Sequence, residues 1–172
     1  AVARENTSSI YSCLAAAHNT ARAVRTALTR DAWESINRAW INMRRRGTPA
    51  DTQATLSLIN EVRLDTRGFE GALQRMLRGE SSWFIRMGMA VERADNTARL
   101  LDVKYHMLLP PGTGVGSAID RDQWQTILRA VSAVMSYRWL YRSTVKPVLV
   151  SELLILRPEM PRSLIASIEE IV

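Results

Sequence analysis

Apolar residues recur at alternating spacings of three and four along most of this 172-residue chain, the pattern of helices that each bury one face. Residues 8 to 28 place Ile10, Leu14, Ala17, Ala21, Val24 and Leu28 on one side, with Thr7 or Ser8 as the expected cap. A second helix follows Thr29 on Trp33, Ile36, Trp40 and Met43 and stops at Arg44-Arg45-Arg46-Gly47, where cations suit the negative helix end. Thr48 and Pro49 are expected to restart helix. The third stripe is Leu56, Ile59, Val62, Phe69, Leu73 and Met76, with Gly68 or Gly71 as a place where the helix could loosen. The fourth and clearest runs from Glu80 or Ser81 to Leu108 on Phe84, Met87, Val91, Ala94, Ala98, Leu101, Tyr105 and Leu108, ended by Pro110 and Pro111.

Residues 109–119 are Pro and Gly rich and read as a flexible loop. Asp120 is the expected cap of a helix with Trp124, Ile127, Leu128, Val131 and Met135 inward, and its continuation through Tyr137, Trp139 and Tyr141 is a candidate kink. Pro147 opens a short helix ending at Leu156, and Pro161 starts a last one. No stretch alternates with period two for long enough to be a strand. The pattern predicts an all-α antiparallel bundle of about six to seven helices with two long central ones, in one domain over residues 1–172. Asn19-Thr20-Ala21-Arg22 recurs as Asn96-Thr97-Ala98-Arg99, a weak sign of a duplicated helical hairpin.

Charge changes this picture little. The net charge of +6 comes from 23 basic and 17 acidic residues, and Lys104 and Lys146 are the only lysines. The excess is local: residues 1–46 hold eight Arg against Glu5, Asp31 and Glu34. A single Cys, Cys13, excludes an internal disulfide and a cysteine-based zinc site and suits a reducing, cytoplasmic setting. No apolar run reaches the roughly 20 residues that span a bilayer, so no membrane association is expected. The chain opens without an initiator Met and ends inside a helical pattern, so it is expected to be part of a longer protein.

Beside the apolar face of the fourth helix lies a polar stripe of Glu92, Asp95, Arg99, Asp102 and His106, about 110° around the helix. Arg86 and Arg93 lie further round. Asp95 with Arg99 and Asp102 with His106 have the spacing of intrahelical pairs. Three readings follow: a structural ion-pair ladder, a binding or catalytic groove, or a metal site on Glu92, Asp95, Asp102 and His106. The last lacks the Glu-x-x-His units that di-metal bundles carry on two helices, and His18 stands apart, so no metal and no cofactor is expected.

Other chemistry is thin. Cys13 is five residues from His18 and on a different helix face, which reads as a small buried residue and not as a nucleophile pair. The run from Pro111 to Gly116 follows a helix, not a strand, so it lacks the setting of a phosphate loop. The tryptophans read as core, although Trp139 with Tyr137, Tyr141, Arg138 and Arg142 could form a partner-binding edge. Arg22, Arg25, Arg30, Arg38 and Arg44 to Arg46 supply a basic face without the aromatic or helix-turn-helix organisation that nucleic acid requires.

Trp83-Phe84-Ile85-Arg86-Met87-Gly88 and the run from Glu92-Arg93-Ala94-Asp95 to His106 resemble the signature of the bacterial Alpha-E domain family. Asn6 to Ile10, Ala21 to Arg25, Trp33 to Asn37 and Pro158 to Ser163 resemble other parts of the same domain. The resemblance implies an all-helical domain that is usually longer at its N-terminus, where a first helix carries another Glu-Arg pair. It also implies genomic company with a circularly permuted ATP-grasp ligase, a transglutaminase-like peptidase and sometimes a proteasome-like peptidase. Where the family commonly has Gly-Arg and an aromatic, this chain has Gly88-Met89-Ala90, so a basic contact at 89 is missing.

The leading expectation is a non-catalytic helical partner of an amide ligase or its peptidase, with Arg86, Glu92, Arg93, Asp95, Arg99 and Asp102 fixing the bundle or forming a docking groove. The alternative is an enzyme of amide formation or hydrolysis, with Glu92 or Asp95 as base and Arg93 or Arg99 holding an anionic substrate. A nucleic-acid-binding domain is the third reading. Self-association through the groove is expected of a piece that lacks its first helices.

Overall fold

The computed structural model describes residues 3, 5–106 and 116–172. Among them are eight α-helices and no strand: α1 (Ile10–Ala23), α2 (Arg30–Arg46), α3 (Thr52–Leu73), α4 (Glu80–His106), α5 (Ala118–Ala130), α6 (Val134–Tyr141), α7 (Pro147–Leu156) and α8 (Leu164–Glu169). A 3₁₀ turn at Arg25–Ala27 joins α1 to α2. The chain forms two compact units, Ala1–Trp83 and Phe84–Val172.

In the first unit the helices run antiparallel. Tyr11 meets Trp40, His18 meets Asn37 and Arg25 meets Trp33, so numbering rises along α1 as it falls along α2. Arg38 with Asp65 and Arg46 with Glu61 set the same sense for α2 and α3. Gly68 sits where α3 meets α2: a Cβ there would lie 3.6 Å from the Arg38 guanidinium and 3.7 Å from Ser35 Oγ. Helix α3 passes through Gly68 and Gly71 without a break.

The second unit is built on one core of Leu101, Trp124, Ile127, Leu128, Val131, Ala133, Tyr137, Val150, Leu153, Leu154 and Met160. The expected kink after α5 is a full interruption: Ser132 adopts φ 57°, and the Ala133 N–H donates to Leu128 O at 2.7 Å. That break makes two helices of one and takes the number past the expected six to seven. Tyr137 Oη then donates to Thr144 O at 2.9 Å and accepts from Lys146 N at 3.0 Å, closing the turn into α7.

Several caps differ from expectation because the side chain that reaches a free N–H is not always the first Ser, Thr or Asp met along the chain. Ser9 caps α1, not Thr7 or Ser8, and Asp51 caps α3, not Thr48. Ser117 caps α5, while Asp120 accepts from the Gly116 N–H at 2.8 Å. Pro161 lies in a turn, and α8 starts three residues later behind Ser163. Of the expected loop, 109–115 lies outside the described residues, and Ala118 and Ile119 already belong to α5.

The two copies of Asn-Thr-Ala-Arg are not equivalent. Ala21 is buried and Thr20 exposed, whereas Thr97 is buried and Ala98 exposed. Cys13 is exposed, not buried, because it lies roughly 150° around α1 from Tyr11 and His18, the side turned to α2.

Candidate functional site

Helix α4 buries only one edge of its apolar stripe. Leu101 is buried and Ala94 half-buried, but Phe84, Met87, Val91, Ala98 and Tyr105 are exposed, while Ala90, Thr97 and Lys104, outside the stripe, are buried. On a helical wheel the buried line is roughly 75° from the apolar stripe and about 180° from the polar one. The reason lies in polar anchors. Thr97 Oγ1 donates to Arg162 O at 2.8 Å, and Lys104 Nζ is 2.6 Å from Asp120 Oδ1 and 2.9 Å from Gln123 Oε1. These contacts would be costly to break once buried, so they set the rotation of the helix.

Of the residues expected to act together, five stay on one outward face and Arg93 leaves it. Glu92, Asp95, Arg99, Asp102 and His106 point outward. Arg99 Nε donates to Asp95 Oδ2 at 2.6 Å, and His106 Nε2 is 3.4 Å from Asp102 Oδ1, both pairs along the helix itself. Glu92 Oε1 accepts from Asn96 at 3.4 Å. The Asp95 carboxylate beside it raises the pKa of the Arg99 guanidinium. Arg93 turns inward instead: its Nη1 donates to Glu170 Oε2 at 2.8 Å and to Pro161 O at 3.4 Å, tying α4 to the C-terminal segment. Arg86 is half-buried.

Periodicity gave no sign of the buried charges in the second unit. Lys104 and Asp120 are each about 1% exposed, with the ammonium 5.4 Å from the centre of the Trp124 ring. Burial alone would raise the Asp120 carboxyl; the Lys104 ammonium and the Gly116 N–H outweigh it and hold its pKa below the ordinary value. The available signal was compositional: a lysine in a chain that otherwise uses arginine. Lysine's compact charge can be met by one carboxylate and one amide, whereas a guanidinium presents five donors. A cleft of about 460 Å³ beside this pair is lined by Leu100, Val103, Ile119, Gln123, Ile127 and Ala130, with no stripe residue.

No group of His, Cys, Asp and Glu that could hold a metal occurs among the described residues. No helix among them is long and apolar enough to cross a membrane. Trp124 is core, but Trp83 is exposed and leaves the core assigned to it. Trp139 is exposed too, while Tyr137, named for the same edge, is buried in the core.

Comparison with known proteins gives one match. No curated protein and no solved structure matches the chain significantly. The Alpha-E family, described as a predicted alpha-helical domain with a conserved ER motif, matches over residues 1–172. Glu92-Arg93 is the only Glu-Arg dipeptide in the chain, and its two members diverge, the arginine into the C-terminal tie and the glutamate to solvent. With helices throughout and a match along its whole length, the chain belongs to the Alpha-E family.

Proposed function

We propose that this chain is a non-catalytic helical partner of an ATP-grasp amide ligase or of its companion transglutaminase-like peptidase, in a system that makes and trims peptide linkages. The observation that carries the reading is the position of the charged stripe. Among the described residues, Glu92, Asp95, Arg99, Asp102 and His106 stand opposite the buried line of α4, open to solvent and paired along their own helix. An active site needs such groups converging on a shielded pocket. An outward ridge beside the exposed apolar Phe84, Met87, Val91 and Tyr105 suits the docking of another protein, with an apolar centre and a charged rim.

The test is capture of the purified ligase and the purified peptidase, one at a time, on the immobilised chain. Retention of either is expected, with loss in a Glu92→Lys, Asp95→Lys, Asp102→Lys variant that keeps its helical circular dichroism. No retention of either protein, or retention indifferent to charge reversal, would overturn the reading.

A further inference from the structure

The basic surplus of residues 1–46, which looked unorganised in sequence, is ordered on the α1–α2 face. Along this seam run Arg25, Trp33, His18, Trp40 and Arg44. The Arg25 guanidinium lies 5.4 Å from the Trp33 ring centre, His18 lies 5.5 Å from Trp33 and 5.7 Å from Trp40, and the Arg44 guanidinium lies 5.9 Å from Trp40. His18 Nε2 is 3.3 Å from Asn37 Oδ1, which fixes the middle ring. The column carries a cation near each end and aromatic rings between.

Two features identify what it would bind. First, the arginines here differ from their neighbours. Arg30, Arg38 and Arg46 on the same helix each reach a carboxylate, in Glu34, Asp65 and Glu61. Among the described residues no carboxylate lies within 4 Å of Arg22, Arg25 or Arg44. Arg22 stands one helical turn past His18 and is exposed. A guanidinium carries five donors; Arg25 uses Nη1 on Leu28 O, at 3.4 Å, and a carboxylate is gripped by two parallel hydrogen bonds from the donors that remain.

Second, the rings themselves are occupied. The His18 ring and the Arg25 guanidinium both lie within 5.5 Å of the Trp33 ring centre, and Tyr11 and His18 lie 5.3 and 5.7 Å from that of Trp40. Single-stranded nucleic acid calls for open aromatic faces on which bases stack, and both indoles are half-buried with two of these neighbours each.

We infer that the α1–α2 face is a docking site for a carboxylate-rich peptide segment of a partner, with Arg25 and Arg44 as its two anchors and Arg22 beside them. From the spacings above, the ends of the column are at most about 22 Å apart, the reach of some seven extended residues. The inference does not depend on the ridge of α4, since it uses only residues of the first unit.

The experiment is a titration of the full chain at about 0.15 M salt with a capped eight-residue peptide alternating Glu and Gly, followed by calorimetry and by tryptophan emission. Its Gln-Gly counterpart and an eight-residue oligothymidylate are the comparison probes. The Glu peptide is expected to bind, and the R25Q/R44Q variant to weaken it by about tenfold or more, the scale of one lost charge-assisted hydrogen bond. R30Q, whose arginine already has a partner, should leave binding unchanged, and R25K/R44K should fall between. Circular dichroism of each variant confirms that the helices remain. Absence of binding, equal binding of the Gln peptide, tighter binding of the oligonucleotide, or an R30Q loss as large as that of R25Q/R44Q would each overturn the inference.

Discussion

The two compact units differ in the most buried ion pair that each contains. In the first, every pair among the described residues keeps a side chain in water: those of Arg38, Arg46 and Glu61 are about 40–60% exposed, Arg30 is more exposed still, and the most covered partner, Asp65, is 14% exposed. The second also has solvated pairs, Asp95 with Arg99 and Asp102 with His106, but adds Lys104 and Asp120, a pair that water does not reach. A rim pair can dissolve into solvent at little cost, so it sets orientation more than stability. A buried pair has no such escape, and losing either partner strands the other. Only the second unit makes one of its ion pairs a part of its interior.

The sharpest way to break this contrast is Lys104→Met. It should destabilise the protein by about 3–5 kcal/mol, because the Asp120 carboxylate stays buried with its counter-charge gone and only the neutral donors of Gly116 and Trp124 to meet it. Urea unfolding followed by emission of the adjacent Trp124 measures this. A cost no larger than that of a rim pair would erase the distinction between the units.

The same pair gives the second unit its sensitivity to acid. The Asp120 carboxyl is held below its ordinary pKa in the folded state. Its contribution is therefore complete above the ordinary carboxylate range and is lost as pH falls through the folded value. Stability measured from about pH 5 downward should decline, and Asp120→Asn should flatten the part of that decline owed to this group.

A smaller loss is expected at Tyr137→Phe. Removing the hydroxyl leaves Lys146 N and Thr144 O without their shared partner, at about 1–3 kcal/mol. In the first unit, Thr29→Ala removes the side chain that accepts from Ala32 N at the start of α2 and should cost about 1 kcal/mol. Thermal unfolding resolves both. At the bottom of the scale, Asp95→Asn with Arg99→Gln should leave the melting temperature unchanged, since that pair is solvated and local. A clear drop would mean that the ridge supports the fold.

Much of the fold was legible because it rests on local rules. The start of α2 directly after Thr29, its stop at Gly47 after three arginines and Pro147 opening α7 all stand where the pattern placed them. The break near Tyr137 was visible only as a candidate, since it depends on Ser132 taking a left-handed conformation that no neighbouring residue announces. The candidate site was less legible. Asp95 with Arg99 and Asp102 with His106 could be paired from spacing alone, because both partners share a helix. Arg93 with Glu170, 77 residues apart, could not.

By itself the sequence determined the helices and the residues each could offer on a face, because propensity, capping and period are set within a few residues. Which face of α4 turned inward was a tertiary decision. Its apolar stripe was the stronger local signal, yet Thr97 and Lys104 found distant polar partners in Arg162 O and Asp120. Once those groups lie buried, the cost of leaving them unpaired exceeds the gain from covering the stripe. Tertiary structure also organised part of the arginines of residues 1–46, placing Arg25 against Trp33 of α2, whereas Arg44 on Trp40 is a pair four residues apart within α2 itself.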